Sequence, residues 1–216
     1  MTRVKICGMT REDDLRVAIE AGADAVGFVM NVPVDTPREI SLQKAKQLLD
    51  IVPLFVNSVI VTMPDDPDTV VQLDAELAPD FFQIHNDMSP GDIAYLNTQI
   101  DADIIKTISP SEMKVAHRYE DLVAGLLVDS TNDEGGGGTG ETHDWRETQQ
   151  IVDDVDVPVI LAGGLTPGNV REAVRTVEPF GVDVATGVEK DGGIKNHEAV
   201  TDFIENATTA SSLVES

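Results

Sequence analysis

With 216 residues, a formal net charge of -24 and a pI near 4.2, the chain is long enough for one large α/β domain, and its charge repels nucleic-acid backbones and anionic lipid alike. Its single cysteine closes no internal disulfide, no apolar run approaches the roughly 18 residues that cross a bilayer, and MTRVKICGMTREDDL lacks a leader's basic-then-apolar layout, so a reducing cytoplasm is the expected setting. Acid residues spread through REDD, PDDPD, DAD and DDVD while Val, Ile and Leu stay plentiful, which describes a folded chain whose solvated coat suits high salt, where a Debye length of about 3 Å at 1 M screens self-repulsion.

VKIC (4–7) is the first expected strand, and it runs out onto Cys7. REDDLRVAIEAG (11–22) has the three- and four-residue apolar spacing of an amphipathic helix, with Thr10 expected to open it and Gly22 to close it. AVGFVM (25–30) is the second strand. A loop carrying Arg38 leads to the helix SLQKAKQLLDIV (41–52), capped by Ser41. VNSVIVT (56–62) precedes the helix PDTVVQLDAEL (67–77), and the aspartates of MPDDPDTV have helix-start rather than calcium-loop spacing.

FFQI (81–84) ends at His85, DIIKTI (103–108) is the fifth strand, and LVAGLLVD (122–129) closes on Asp129. STNDEGGGGTGETH, Ser130 to His143, is the longest irregular stretch, either a flexible linker or a loop that closes over a ligand. The helix WRETQQIVDDV (145–155) follows. VPVILAG (157–163) then passes through Gly163 and Gly164 into PGNVREAVRTV (167–177), which Thr166-Pro167 is expected to open, and VDVATG (182–187) brings Thr186 and Gly187. The final residues read as a frayed tail, so the expected organisation is one domain over 1–208 and a flexible segment over 209–216.

Strand and helix alternating eight times, with nearly continuous apolar strands, is the pattern of a single closed (β/α)8 TIM barrel; a doubly wound open sheet is the alternative. In such a barrel the chemistry lies where strands run out into the loops before their helices. Cys7 and Asp129 stand at such ends. Taken alone, Cys7 also fits a small buried hydrophobe and Asp129 a loop-capping turn. Gly163-Gly164 and Gly187 expose backbone amides on two consecutive loops, the usual place for a phosphate in this fold. The Arg38 fork suits a carboxylate or a surface salt bridge, and a lone His85 is more often structural than catalytic. No two histidines share a metal-ligand spacing, so no metal is expected.

In order from residue 3 to about 204, VKICGMT, GFVM with the following Arg38, FFQIH, LLVDS with GGTGETHDW, LAGGLTPGNV and VDVATGVEKDGGIKN closely resemble the phosphoribosylanthranilate isomerase family of tryptophan biosynthesis. The resemblance implies a (β/α)8 barrel without metal or cofactor, a small phosphosugar-anthranilate substrate, and a monomer or homodimer. It makes Cys7 the general base and Asp129 the general acid of an Amadori rearrangement, with the carboxyl kept neutral and the thiol lowered in pKa by donors or positive potential. It places Arg38 on the anthranilate carboxylate, His85 among the substrate-binding residues, and Gly163, Gly164, Thr186 and Gly187 on the phosphate.

The chain departs from the family pattern at Asn86, where glycine is usual, at Thr186, where serine is usual, near His143, and in strand three, which lacks the family's frequent Phe and Asn. A histidine-pathway sugar isomerase resembles a pattern with aspartates at the ends of strands one and five, where this chain has Cys7 and Lys106-Thr107. A non-catalytic phosphosugar-binding barrel is the alternative from another class, and the presence of both Cys7 and Asp129 argues against it.

Overall fold

The computed structural model describes residues 1–129 and 143–210. In chain order the elements are β1 (Arg3–Ile6), α1 (Glu12–Glu20), β2 (Ala25–Val29), α2 (Leu42–Leu49), β3 (Asn57–Thr62), α3 (Pro67–Leu77), β4 (Phe81–Ile84), α4 (Pro90–Gln99), β5 (Asp103–Ile108), α5 (Met113–Tyr119), β6 (Gly125–Val128), α6 (Trp145–Asp154), β7 (Val159–Leu161), α7 (Val170–Val177) and β8 (Gly181–Val184). A short 3₁₀ turn (Thr186–Val188), a small hairpin of β9 (Glu189–Asp191) and β10 (Ile194–Lys195), and α8 (His197–Ala210) complete the described chain.

Strands β1 to β8 pair in sequence order, all parallel, and β8 returns to β1 with Lys5 opposite Asp183 and Ile6 opposite Val184. That closure excludes the open-sheet alternative and places the protein in the TIM-barrel class. Alternation along each strand splits the apolar residues into two layers. Ile6, Val26, Phe28, Ile60, Phe82 and Ile104 face outward and pack on the helices, while Cys7, Val59, Val61, Ile105, Leu127 and Ala162 fill the barrel interior.

Local chemistry explains most boundaries. Ser41 accepts from the Lys44 amide at the start of α2, and Asp66 accepts from the Asp68 amide ahead of Pro67. Gly22, at φ +98°, follows the end of α1 in the left-handed region open to glycine. Two expected caps are corrected. Arg11 is the N-cap of α1 and makes no side-chain cap bond, because the Thr10 hydroxyl donates instead to the Gly193 carbonyl. At α7 the helix begins at Val170 rather than at Pro167, since Asn169 Oδ1 accepts from the Thr166 amide and holds 166–169 as a turn.

The last helix carries Thr209 and Ala210, two residues past the boundary expected at 208, because buried Ala207 and Ala210 continue its packed face. The rest of the expected tail, 211–216, and the glycine-rich stretch 130–142 lie outside the described residues.

Candidate active site

Cys7 stands just beyond β1, its amide donating to the Val184 carbonyl at 2.8 Å, and Asp129 stands just beyond β6, its amide donating to the Ile108 carbonyl at 3.2 Å. Both are therefore fixed to the same, C-terminal end of the barrel by backbone ladders that continue one residue past the strands. Both are buried.

Asp129, Gly163, Gly164, Asp183, Thr186 and Gly187 line one cavity of about 100 Å³. Gly163 and Gly164 take φ of +82° and +63°, a left-handed pair that turns successive backbone groups to one side. The turn is stitched by Asn169, whose amide nitrogen donates to the Gly164 carbonyl at 2.9 Å. Gly187 closes the cavity from the next loop, so near that a Cβ on it would stand 1.9 Å from the Leu165 carbonyl oxygen. Glycine is required there for contact, and the loops after β7 and β8 form one wall.

Arg38 reaches this wall from the loop after β2. Its Nε donates to Glu189 Oε1 at 3.0 Å, and one terminal nitrogen donates to Glu189 Oε2 at 2.6 Å and to Thr186 Oγ1 at 3.0 Å. Its stem lies over Gly8, where a Cβ would meet Arg38 Cδ at 2.8 Å. Arg38 is thus beside the residue that follows Cys7, with the face of its fork on Glu189. Glu189 also receives Lys195 Nζ at 2.8 Å, and Lys195 has no exposed side-chain surface. Two cations hold the Glu189 carboxyl below the usual carboxylate range against the opposing effect of its burial. The hairpin carrying this pair is anchored to α1, because Asp14 accepts from the Lys195 amide and from His197 Nε2.

A second polar cluster lies inside the barrel. Lys5 Nζ donates to Gln83 Oε1 at 2.9 Å and Asp183 Oδ1 at 3.0 Å. The Gln83 amide nitrogen faces Thr107 Oγ1 and His85 Nδ1, each at 3.3 Å. His85 Nδ1 is thereby the acceptor, and Nε2 carries the proton. Burial, with the Lys106 and Lys5 charges, lowers His85 to about 4, so it is neutral in the physiological range.

The thiol differs from expectation. Burial pushes Cys7 above its ordinary value; Lys5 pulls it back, Asp183 pushes it up again, and Lys195 lowers it. The expected lowering omits the desolvation of a group sealed against the barrel interior. At strand five Lys106 points its ammonium over the Tyr119 ring, 5.4 Å from the centroid, and burial lowers it to about 8. Asn86, the departure after His85, donates to the Pro64 carbonyl at 2.7 Å and ties the loops after β3 and β4 together.

Of the residues singled out from the sequence, Asp129, Gly163, Gly164, Thr186 and Gly187 share the cavity, Arg38 joins it through Thr186, and Cys7 joins through the Lys5–Asp183 pair. His85 stands at the end of β4 and connects to them through Gln83. Sequence reasoning misses Lys5, Gln83, Asp183, Glu189 and Lys195. A signal exists for Lys5 and Asp183: each interrupts an apolar strand two residues before a strand-end position, on the same face. No cluster of three or more metal-ligating side chains occurs among the described residues. A wider cavity of about 540 Å³ opens at the other end of the barrel beside Phe55 and Phe180, away from the strand-end groups.

Residues 4–206 match the family model for N-(5'phosphoribosyl)anthranilate (PRA) isomerase. A curated N-(5'-phosphoribosyl)anthranilate isomerase from the halophilic archaeon Halobacterium salinarum is 52% identical over 211 residues, 96% of each chain. The crystal structure of phosphoribosyl anthranilate isomerase from Thermotoga maritima is similar with a TM-score of 0.86 and 34% identity, over 97% of this chain and 100% of that one. A phosphoribosyl anthranilate isomerase in complex with reduced 1-(o-carboxyphenylamino)-1-deoxyribulose 5-phosphate has a TM-score of 0.83 and 32% identity over the same shares.

Proposed function

The chain belongs to the N-(5'-phosphoribosyl)anthranilate isomerase family, and from that premise we propose that it works with Cys7 as general base and Asp129 as general acid. It is an isomerase of tryptophan biosynthesis, converting N-(5'-phosphoribosyl)anthranilate to 1-(2-carboxyphenylamino)-1-deoxyribulose 5-phosphate. The observation that carries the assignment of roles is the fixing of Cys7 and Asp129 to one barrel mouth by the Val184 and Ile108 carbonyls, with the Gly163-Gly164 and Thr186-Gly187 loops walling the cavity Asp129 lines.

Asp129 protonates the ribose ring oxygen, and the ring opens to a Schiff base. The Cys7 thiolate takes the proton from C2, leaving an enolamine that tautomerises to the ketone. After one turnover the thiol has gained a proton and the carboxyl has lost one, so a single proton passing between them through solvent resets the site. The two side-chain steps each move one proton between substrate and protein, the tautomerisation exchanges its protons with solvent, and the scheme assigns no metal or cofactor. The glycine loops take the phosphate and Arg38 the anthranilate carboxylate, so C2 is held between base and acid. His85, neutral and donating through Nε2, serves as a substrate hydrogen-bond donor.

Among the described residues no helix is long and apolar enough to cross a membrane. The enzyme acts in the cytoplasm as a monomer or homodimer on this small molecule, without nucleic acid. Loss of anthranilate-adduct fluorescence, followed in molar KCl with anthranilate and a phosphoribosyl donor, tests the assignment. Turnover by the unmodified enzyme with loss in both Cys7→Ser and Asp129→Asn is expected, and full activity in either variant overturns its role.

A further inference from the structure

Lys5 has no part in that scheme, yet it lies two residues before Cys7 on the strand, so both side chains enter the barrel interior. It is 4% exposed, and Asp183 and Gln83 hold its ammonium at 3.0 and 2.9 Å. Asp183 sits directly opposite Lys5 in the β1–β8 ladder, and Gln83 arrives from β4 across the barrel. Thiol and ammonium stem converge over the bare backbone of Gly27: the place a Cβ would occupy there is 2.8 Å from Cys7 Sγ and 3.2 Å from Lys5 Cε. No larger residue fits between β2 and this pair.

We propose that Lys5 is a positioning residue for the reaction, its ammonium fixed by Asp183 and Gln83 as the counter-charge that makes the Cys7 thiolate available as a base. The inference rests on the assignment of Cys7 as that base. Lys5 exchanges no proton with substrate; the C2 proton goes to sulfur and the ammonium keeps all of its own. Its charge is secure, because Asp183 and Cys7 raise its pKa against the opposing effect of burial.

The other charged and titratable groups around the thiol do not replace it. Asp183 acts in the opposite sense, Lys195 on the hairpin acts more weakly than Lys5, and His85 on the β4 side is neutral. Arg38 over Gly8 directs its fork onto Glu189. Asp129 is the acid at the end of β6.

The test reads the thiol itself, which is possible because the chain has a single cysteine. Iodoacetamide alkylation rates and the pH profile of kcat/KM are measured in molar KCl for the unmodified enzyme, Lys5→Met and Lys5→Arg. Lys5→Met is expected to move the alkylation midpoint up by about one pH unit or more and to carry the limb of the activity profile governed by the base with it, and Lys5→Arg to recover most of both. Where Lys5→Met leaves Asp183 too poorly paired to fold, Lys5→Met/Asp183→Asn removes both charges, and the midpoint still rises because Lys5 is the larger influence. An alkylation midpoint unmoved in Lys5→Met and in the double variant overturns the pairing. A midpoint that moves while the activity profile stays put overturns Cys7 as base, and with it the role in catalysis.

Discussion

Arg38 and Glu189, 151 positions apart, form a two-pronged ion pair at 3.0 and 2.6 Å that joins the loop after β2 to the hairpin after β8. Glu189 is therefore what aims Arg38. Arg38→Ala is expected to lower kcat/KM by roughly 10- to 100-fold, mostly through KM, since a charge-assisted bond to a carboxylate is worth about 1.5–3 kcal/mol. Steady-state kinetics with unchanged kcat/KM would take Arg38 out of the site. Glu189→Gln should raise KM less but destabilise the fold by about 3 kcal/mol, because fully buried Lys195 loses its counter-charge; denaturant titration in high salt measures this.

Cys7→Ser and Asp129→Asn should each lose at least about 10²-fold in kcat, since the first leaves a hydroxyl that hardly ionises and the second removes the transferable proton. Product affinity should change far less, because Arg38 and the glycine loops grip the two ends. Product should also slow alkylation of Cys7 in the unmodified enzyme. Equal alkylation rates with and without product would return Cys7 to the reading of a buried strand residue.

Gly187→Ala is expected to part the loops after β7 and β8, because the new methyl would stand 1.9 Å from the Leu165 carbonyl oxygen and backbone cannot yield cheaply. A lower Tm together with at least about 10-fold weaker binding of product is the expected result, and calorimetry measures both. A variant with native Tm and affinity would separate this wall from the phosphate.

His85, lowered to about 4 from an ordinary 6.5, gives the fold a definite acid response. Between those values the unfolded chain binds the proton and the folded chain does not, so stability is full above pH 6.5 and falls as pH drops toward 4. The loss reaches roughly 3 kcal/mol at the low end, the size of such a pKa difference. His85→Gln should flatten this part of the stability curve between pH 5 and 7. An unaltered slope would mean that another group sets it.

A net charge of -24 on 216 residues is strongly self-repelling when unscreened. Tm should fall as KCl is taken from molar to tens of millimolar. A Tm constant over that range would show that the acidic coat carries no salt requirement.

The barrel was legible where side-chain chemistry is one-sided. β-Branched runs such as NSVIVT and DIIKTI, buried on both faces, announce strands, and Ser41 and Asp66 mark helix starts by what their oxygens can accept. Helices α4, α5 and α8 go unmarked: PGDIAYLNTQ spreads its apolar residues around the axis, MKVAHRY is two turns long, and HEAVTDFIENATTA ends in a run of small residues. In the site, Cys7 and Asp129 were visible because a strand's end is visible. Lys195 was not: in VEKDGGIKN it looks like any surface lysine, and only Glu189 and Asp14 folding against it make it buried. The pull of neighbours brought in by distant strands is also what composition cannot supply for the Cys7 thiol, whose burial outweighs the nearby cations.

Lys5 meets Asp183 across 178 positions, Thr10 meets Gly193, and the Cys7 amide waits for the Val184 carbonyl. One edge of β1 is covered by the neighbouring β2, but its other edge is thus among the last in the barrel to acquire a partner. Until β8 and the hairpin emerge, the sulfur of the proposed base stands beside that unpaired edge, open to oxidants and to association with other nascent chains. Long-range closure of this kind also slows the final step of folding. A chain built this way is safest with one thiol and no second for it to find, and that is the number it has.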